Sequence, residues 1–229
     1  MGKELTESLL ESFTQRPATA ILMSGYGSNA EAILSDEEIR DLYDIRAIIT
    51  DNSQSRAVAL AENYGVDATV AEVKRFVSSE QRQTYFDSIS ESLRALGASS
   101  LIYAGFMKIT PANFCQEFPG VNVHPADLTI MGVDGLPKYR GMSALSEMRL
   151  DLGYVRSTVH VVDAPVDSGS AISTSDPEYG NKDETDEELH EKLKVKEHSL
   201  YPMTLKIMGR GLVNIQNIPL SSDLVGAMI

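Results

Sequence analysis

Val121-Asn122-Val123-His124-Pro125 decides how the chain is read. β-branched residues alternate here with one amide and one imidazole, and the period of two along a strand points Asn122 and His124 to the same face. Pro125 cannot donate to a sheet ladder, so the strand ends there and leaves His124 at its carboxyl end. In open α/β sheets ligands bind at that end. An amide donor beside a group that can carry a proton suits an oxygen that gains negative charge when a carbonyl carbon is attacked. The competing reading is a strand-end histidine held only by its neighbours.

Working toward the amino terminus, the segments alternate between strand and helix. Residues 100–104 form an apolar strand, preceded by an amphipathic helix over 79–96 that carries Tyr85, Phe86, Ile89, Leu93 and Leu96 on one side. Strands over 18–23, 45–50 and 66–70 and a helix over 53–64 complete this half, and Gly65 stops that helix. A short amphipathic helix is expected over 5–13. After Pro125, residues 127–141 form a loop rich in Gly and Pro, followed by a helix over 142–150 and strands over 156–162 and 171–175. Thr185 with Glu188 three positions on is a capping-box pattern that opens a long helix, which Pro202 should kink or divide. Lys194, Glu197 and Tyr201 fall on one face of it. The alternation implies a doubly wound, mostly parallel sheet with helices on both faces, Rossmann-like in kind, in a single domain over 18–229 preceded by a helical extension over 1–17.

Composition narrows the class. The 229 residues are 42% hydrophobic, enough for a sizeable core, and the net charge of -13 argues against nucleic acid and anionic membrane as partners. Small-molecule substrates are expected instead. Cys115 is the only cysteine, so there is no intrachain disulfide and no cysteine-based metal site, and a cytoplasmic protein fits best. No apolar run is long enough for a transmembrane helix.

Three clusters could carry chemistry. Gly25-Tyr26-Gly27-Ser28-Asn29 follows the first strand and opens a helix, which leaves backbone amides for an anion, with Ser28 or Asn29 as cap. A dinucleotide reading of this turn would use Asp51 for a ribose. Asn122 and His124 with Asp167 would form an acyl-transfer site: the amide holds the carbonyl oxygen, the imidazole shuttles a proton and the carboxylate orients the imidazole. No Ser or Cys sits in a nucleophile context, so an amine or water attacks directly. His160 and His190 read as structural or solvated. A metal held by His124 and Asp127 matches no usual ligand spacing, and no metal is expected.

Six blocks in order extend this reading: Gly25-Tyr26-Gly27-Ser28-Asn29, Ala104-Gly105-Phe106-Met107-Lys108-Ile109, Asn122-Val123-His124-Pro125, Leu136-Pro137-Lys138-Tyr139-Arg140-Gly141, Asp167-Ser168-Gly169 and Glu197-His198-Ser199-Leu200-Tyr201-Pro202. Together they resemble the phosphoribosylglycinamide formyltransferases, folate-dependent enzymes of purine synthesis. The resemblance implies a formyltransferase that takes its formyl group from 10-formyltetrahydrofolate and passes it to glycinamide ribonucleotide or a related amine. It implies Asn122, His124 and Asp167 as the catalytic trio, with Asn122 and protonated His124 on the oxyanion. Gly27, Ser28 and Asn29 match the phosphate segment, Arg82 falls near a phosphate-binding Arg, Glu197 matches a ribose ligand with Lys194 one turn earlier, and Met107, Lys108 and Ile109 match the pterin pocket.

The chain departs from the family pattern in a loop added over 129–135, in lacking a His soon after the Lys-Tyr block, and in carrying Ser168-Gly169 where a double Gly is usual. The alternatives are a formyltetrahydrofolate hydrolase and a non-catalytic folate- or nucleotide-binding module. The Lys138-Tyr139-Arg140-Gly141 block is also similar to methionyl-tRNA formyltransferases, whose additional C-terminal domain finds no room here. Acidity disfavours tRNA as well.

Overall fold

The computed structural model describes residues 16–211 and the backbone of residues 220 and 221. The helix expected over 5–13, and the extension over 1–17 almost entirely, lie outside them. β1 (Ala18–Met23) is buried on both faces because its apolar run has no polar face to show: Ile21 and Met23 enter one hydrophobic core, Ala20 and Leu22 the other. β2 (Asp44–Thr50), β3 (Asp67–Val70), β4 (Ser100–Tyr103) and β5 (Gly120–His124) repeat the pattern with less symmetry, and β3 is the exposed edge. β6 (Thr158–Val161), β7 (Ala171–Thr174) and the two-residue β8 (Leu220–Ser221) complete one sheet of order β3-β2-β1-β4-β5-β6-β7-β8.

The first five strands are parallel, and β5, β6 and β7 pair antiparallel. The chain runs from β1 outward through β2 to β3, then returns to place β4 on the other side of β1. That reversal makes a switch point at the carboxyl ends of β1 and β4. Helices cover both faces: α1 (Ser28–Ser35), α2 (Glu37–Leu42), α3 (Ala57–Tyr64) and α7 (Asp186–Gly209) on one, α4 (Ser79–Ala95) and α5 (Ala112–Glu117) on the other. α6 (Ala144–Leu152) packs near the end of β5 and against α7.

Three local expectations change. α3 begins at Ala57 rather than at 53, because Asn52 closes a turn over residues 52–55, its side chain accepting from the Gln54 amide at 3.0 Å. Neither Ser28 nor Asn29 caps α1; Gly27 takes the cap position at φ 81°. A Cβ on Gly27 would stand 2.5 Å from Met23 Cε and 2.9 Å from Leu60 Cδ1, so this glycine is required by packing as well as by φ. α7 runs through Pro202 as one helix, opened by the expected capping box of Thr185 and Glu188. Its Tyr201 hydroxyl is buried against the Val121 carbonyl at 2.7 Å and the Tyr103 carbonyl at 3.1 Å, tying the helix to β4 and β5.

Candidate active site

Asn122 and His124 project from β5 on the same face, as the alternation requires. What the sequence reading missed is the partner that antiparallel pairing brings: His160 on β6 lies opposite Asn122 in register. His160 is buried, and its Nδ1 is 2.8 Å from the Val161 carbonyl oxygen. A carbonyl only accepts, so Nδ1 carries the proton and Nε2 keeps a lone pair. Asn122 Nδ2 lies 3.2 Å from that lone pair and donates to it. The amide is thereby oriented, with its second N–H left for another acceptor. Of the two readings of His160, structural or solvated, the structure fits the first: the ring is buried and sets the direction of the Asn122 side chain.

The same logic fixes His124. Its Nε2 lies 3.1 Å from the Tyr139 carbonyl and must donate to it, so in the neutral ring Nδ1 is bare. Nδ1 stands 3.4 Å from Asp167 Oδ2, and His160 Nε2 stands 3.7 Å from Asp167 Oδ1. Burial holds the His124 imidazole below its ordinary value, against the pull of the Asp167 carboxylate. Burial likewise lowers His160 to about 4, with Asp167 again opposing and His124 assisting. His160 is therefore neutral near pH 7, and at His124 burial disfavours the charged ring while Asp167 favours it. A proton arriving at Nδ1 of His124 would meet a carboxylate at once.

Asp167 owes its position to a strained turn. Its backbone lies at φ 52°, in the left-handed region, which Asp tolerates better than most residues. Two residues on, a Cβ on Gly169 would fall 1.9 Å from the Val161 carbonyl oxygen, so only glycine lets this loop lie on β6. The Gly141 amide donates to Asp167 Oδ2 at 2.9 Å. The segment Tyr139-Arg140-Gly141 thus touches both His124 and Asp167, through a carbonyl on one side and an amide on the other.

The glycine turn lies at the switch point. The Met107 amide donates to the Ser24 hydroxyl at 2.8 Å and the Ser24 amide to the Gly105 carbonyl at 3.1 Å, so the turns after β1 and β4 form one unit. At the start of α1 the first backbone amides have no side-chain cap. Asn29 turns instead to Glu197, donating to Oε2 at 3.0 Å, while Ser157 donates to Oε1 at 2.6 Å. Glu197 is buried, only 3% exposed. It links α7, α1 and the start of β6.

Other expected residues are dispersed. Lys194 is not drawn to this cluster, because its ammonium pairs within its own helix with Glu191 at 2.6 Å. Arg82, expected near a phosphate, lines a different cleft of about 480 Å³ with Lys74, Arg75, Phe76, Met107, Lys108 and Ile109. Met107 and Ile109 are more than half exposed there, while Lys108 pairs with the buried Asp51 at 3.0 Å. That ion pair takes one oxygen, Oδ2, of the carboxylate that a dinucleotide reading would have given to a ribose. Asp127 accepts from the Thr129 amide at 2.9 Å and hydroxyl at 2.6 Å. Among the described residues no group of three or more His, Cys, Asp or Glu is arranged to hold a metal ion, and no helix is long and apolar enough to cross a membrane.

Comparison with known proteins bears on this arrangement. A family model described as formyl transferase matches residues 18–205. The chain is 29% identical over 206 residues to the trifunctional purine biosynthetic protein adenosine-3 of Bos taurus, a match that covers 88% of this chain and 19% of that protein. The protein of the same name from Homo sapiens is 28% identical over 210 residues, with 89% and 20% covered. The chain thus spans about a fifth of the length of these curated relatives. Among solved structures, glycinamide ribonucleotide transformylase 1 from Symbiobacterium toebii is similar with a TM-score of 0.73 at 25% identity, covering 88% of this chain and 91% of that one. Phosphoribosylglycinamide formyltransferase from Bacillus halodurans is similar with a TM-score of 0.71 at 25% identity, covering 88% and 100%.

Proposed function

The chain belongs to the formyl transferase family, and from that premise we propose that it transfers a formyl group from 10-formyltetrahydrofolate to the amine of glycinamide ribonucleotide, as an enzyme of purine synthesis. The observation that carries this reading is the pairing of a pre-oriented amide with an imidazole whose Nδ1 faces Asp167. The amine nitrogen attacks the formyl carbon, and the carbonyl π electrons move onto oxygen. Asn122 donates its second N–H to that oxygen, charge stabilisation of the kind that costs about 100-fold to 1000-fold when lost. The proton leaving the attacking nitrogen passes to Nδ1 of His124, where Asp167 stabilises the imidazolium. As the carbon–nitrogen bond to the folate breaks, the proton returns to N10.

The uncapped start of α1 at Gly27, Ser28 and Asn29 supports a phosphate site, since free amides at a helix N-terminus favour an anion. Glu197 lies beside it through Asn29 and suits a ribose hydroxyl. Met107, Lys108 and Ile109 border the cleft that would take the folate, and Arg82 in the same cleft suits its carboxylate tail better than the acceptor's phosphate. A reducing cytoplasm fits the one cysteine, which is buried and free. The test is a single assay: purified protein with both substrates should release tetrahydrofolate and form the formylated ribonucleotide, and His124→Ala should be slower by about 100-fold or more. No formylated product, or an equal rate in the variant, ends the proposal; formate release without acceptor would point to hydrolysis.

A further inference from the structure

The loop added over 129–135 is closed into a hairpin whose tip is exposed to solvent and tied to Arg140. The Lys138 amide donates to the Ile130 carbonyl at 2.7 Å and the Gly132 amide to the Leu136 carbonyl at 2.7 Å, closing a small hairpin with a bridge between Met131 and Pro137. Asp134 near its tip uses both carboxylate oxygens. Oδ1 accepts from the Leu136 amide at 3.1 Å, which stiffens the turn, and Oδ2 accepts from Arg140 Nη2 at 2.8 Å. These two donors, the Leu136 amide first, hold the Asp134 carboxyl below its ordinary value. The Arg140 Nη1 atom is buried with no hydrogen-bond partner, so Asp134 is the one ion pair this guanidinium makes among the described residues.

Arg140 stands between two residues whose backbones touch the reacting groups. The Tyr139 carbonyl holds Nε2 of His124, and the Gly141 amide holds Oδ2 of Asp167. From this we infer that Asp134 and Arg140 are positioning residues: the added hairpin is a strap that fixes the backbone of residues 140 and 141 and, through it, the position of Asp167 relative to His124. The inference rests on the formyl-transfer reading for its catalytic consequence, but not for its structural content. From the other side the segment is anchored by Tyr139, whose hydroxyl donates to Asp151 at 3.1 Å, and by Lys138, which pairs with Asp151 at 2.8 Å. Cutting the strap therefore loosens residues 140 and 141 without releasing residue 139.

The side chain of Asp134 is half exposed, and its truncation leaves the cores untouched. Asp134→Asn and Arg140→Gln, each in the full chain, are compared with the parent protein by hydrogen exchange at the Gly141 amide and by steady-state kinetics. The expected result is exchange about tenfold faster at Gly141, a kcat lowered about tenfold with both KM values within about twofold, and a double variant no worse than either single one. Asp134→Glu, which keeps the charge, restores most of kcat. Unchanged exchange at Gly141 overturns the inference even if activity falls, since the pair would then act on substrate directly. Faster exchange with unchanged kcat overturns the catalytic role. Should the parent protein show no formyl transfer at all, the functional reading fails, while exchange at Gly141 still decides whether the strap exists.

Discussion

His160 sits in the site because two local facts coincide. The Val161 carbonyl fixes its proton on Nδ1, and β5–β6 register places its Nε2 against Asn122. His160→Leu removes the acceptor, so the Asn122 amide loses its orientation and kcat is expected to fall by about tenfold to 100-fold with little change in KM. The substitution also changes the response to acid. An unfolded imidazole takes its proton near the ordinary 6.5 and the buried one only near 4, so between those values the unfolded chain binds more protons. Stability present above pH 6.5 is therefore lost as pH falls, on the order of 3 kcal/mol from this group by pH 4. Urea unfolding of the parent at pH 7 and pH 5 should show about 2 kcal/mol of that loss, and His160→Leu should flatten it, leaving the contribution of His124. An equal slope in the variant would remove His160 as the cause. At Gly169 the expectation is purely steric: Gly169→Ala forces a Cβ into the Val161 carbonyl and should cost about 3 kcal/mol or more, read as a lowered Tm.

At the scale of elements, the strands were legible because a parallel strand buried on both faces is an unbroken apolar run, and 18–23 matched β1 to the residue. The capping box marked the start of α7 for a similarly local reason. α2 and α5 were not anticipated: each has six residues, fewer than two turns, and no periodic pattern can build in that span. The same limit hid His160, since nothing in its own alternating strand says which strand pairs with it. Lys194 was placed one turn before Glu197 by helical spacing, which does not say that its ammonium pairs with the neighbouring Glu191 in the structure. α7 also carries an anchor that spacing alone could not show. Tyr201 reaches the carbonyls of Val121 and Tyr103, next to Asn122 in the chain and in the pairing of β4 with β5. Tyr201→Phe deletes a buried donor and leaves the helix packing in place, so about 1–3 kcal/mol of stability should go, measured by chemical denaturation, with the loss fully present at neutral pH.

Across the whole molecule, charge is distributed against its own average. The chain carries a net -13, yet the cleft beside Met107 and Ile109 is bordered by Lys74, Arg75 and Arg82. Lys108, also in that cleft, is committed to Asp51 at 3.0 Å, so the field for an incoming anion comes from the other three. A folate brings at least two carboxylates. Repelled by the bulk of the surface and drawn to one basic mouth, it should be guided toward the switch-point side of the sheet, where the turns after β1 and β4 meet. Such guidance is screened beyond about 8 Å at physiological ionic strength. The kcat/KM for 10-formyltetrahydrofolate should therefore fall as salt rises from about 0.02 to 0.3 M, while kcat holds, because the catalytic groups are buried and weakly screened. Arg82→Gln should raise the folate KM by about tenfold, leave kcat within about twofold and flatten the salt dependence. A salt response unchanged in Arg82→Gln would assign the steering to Lys74 and Arg75 alone. A rise in the ribonucleotide KM instead would return Arg82 to the phosphate, where the sequence had first put it.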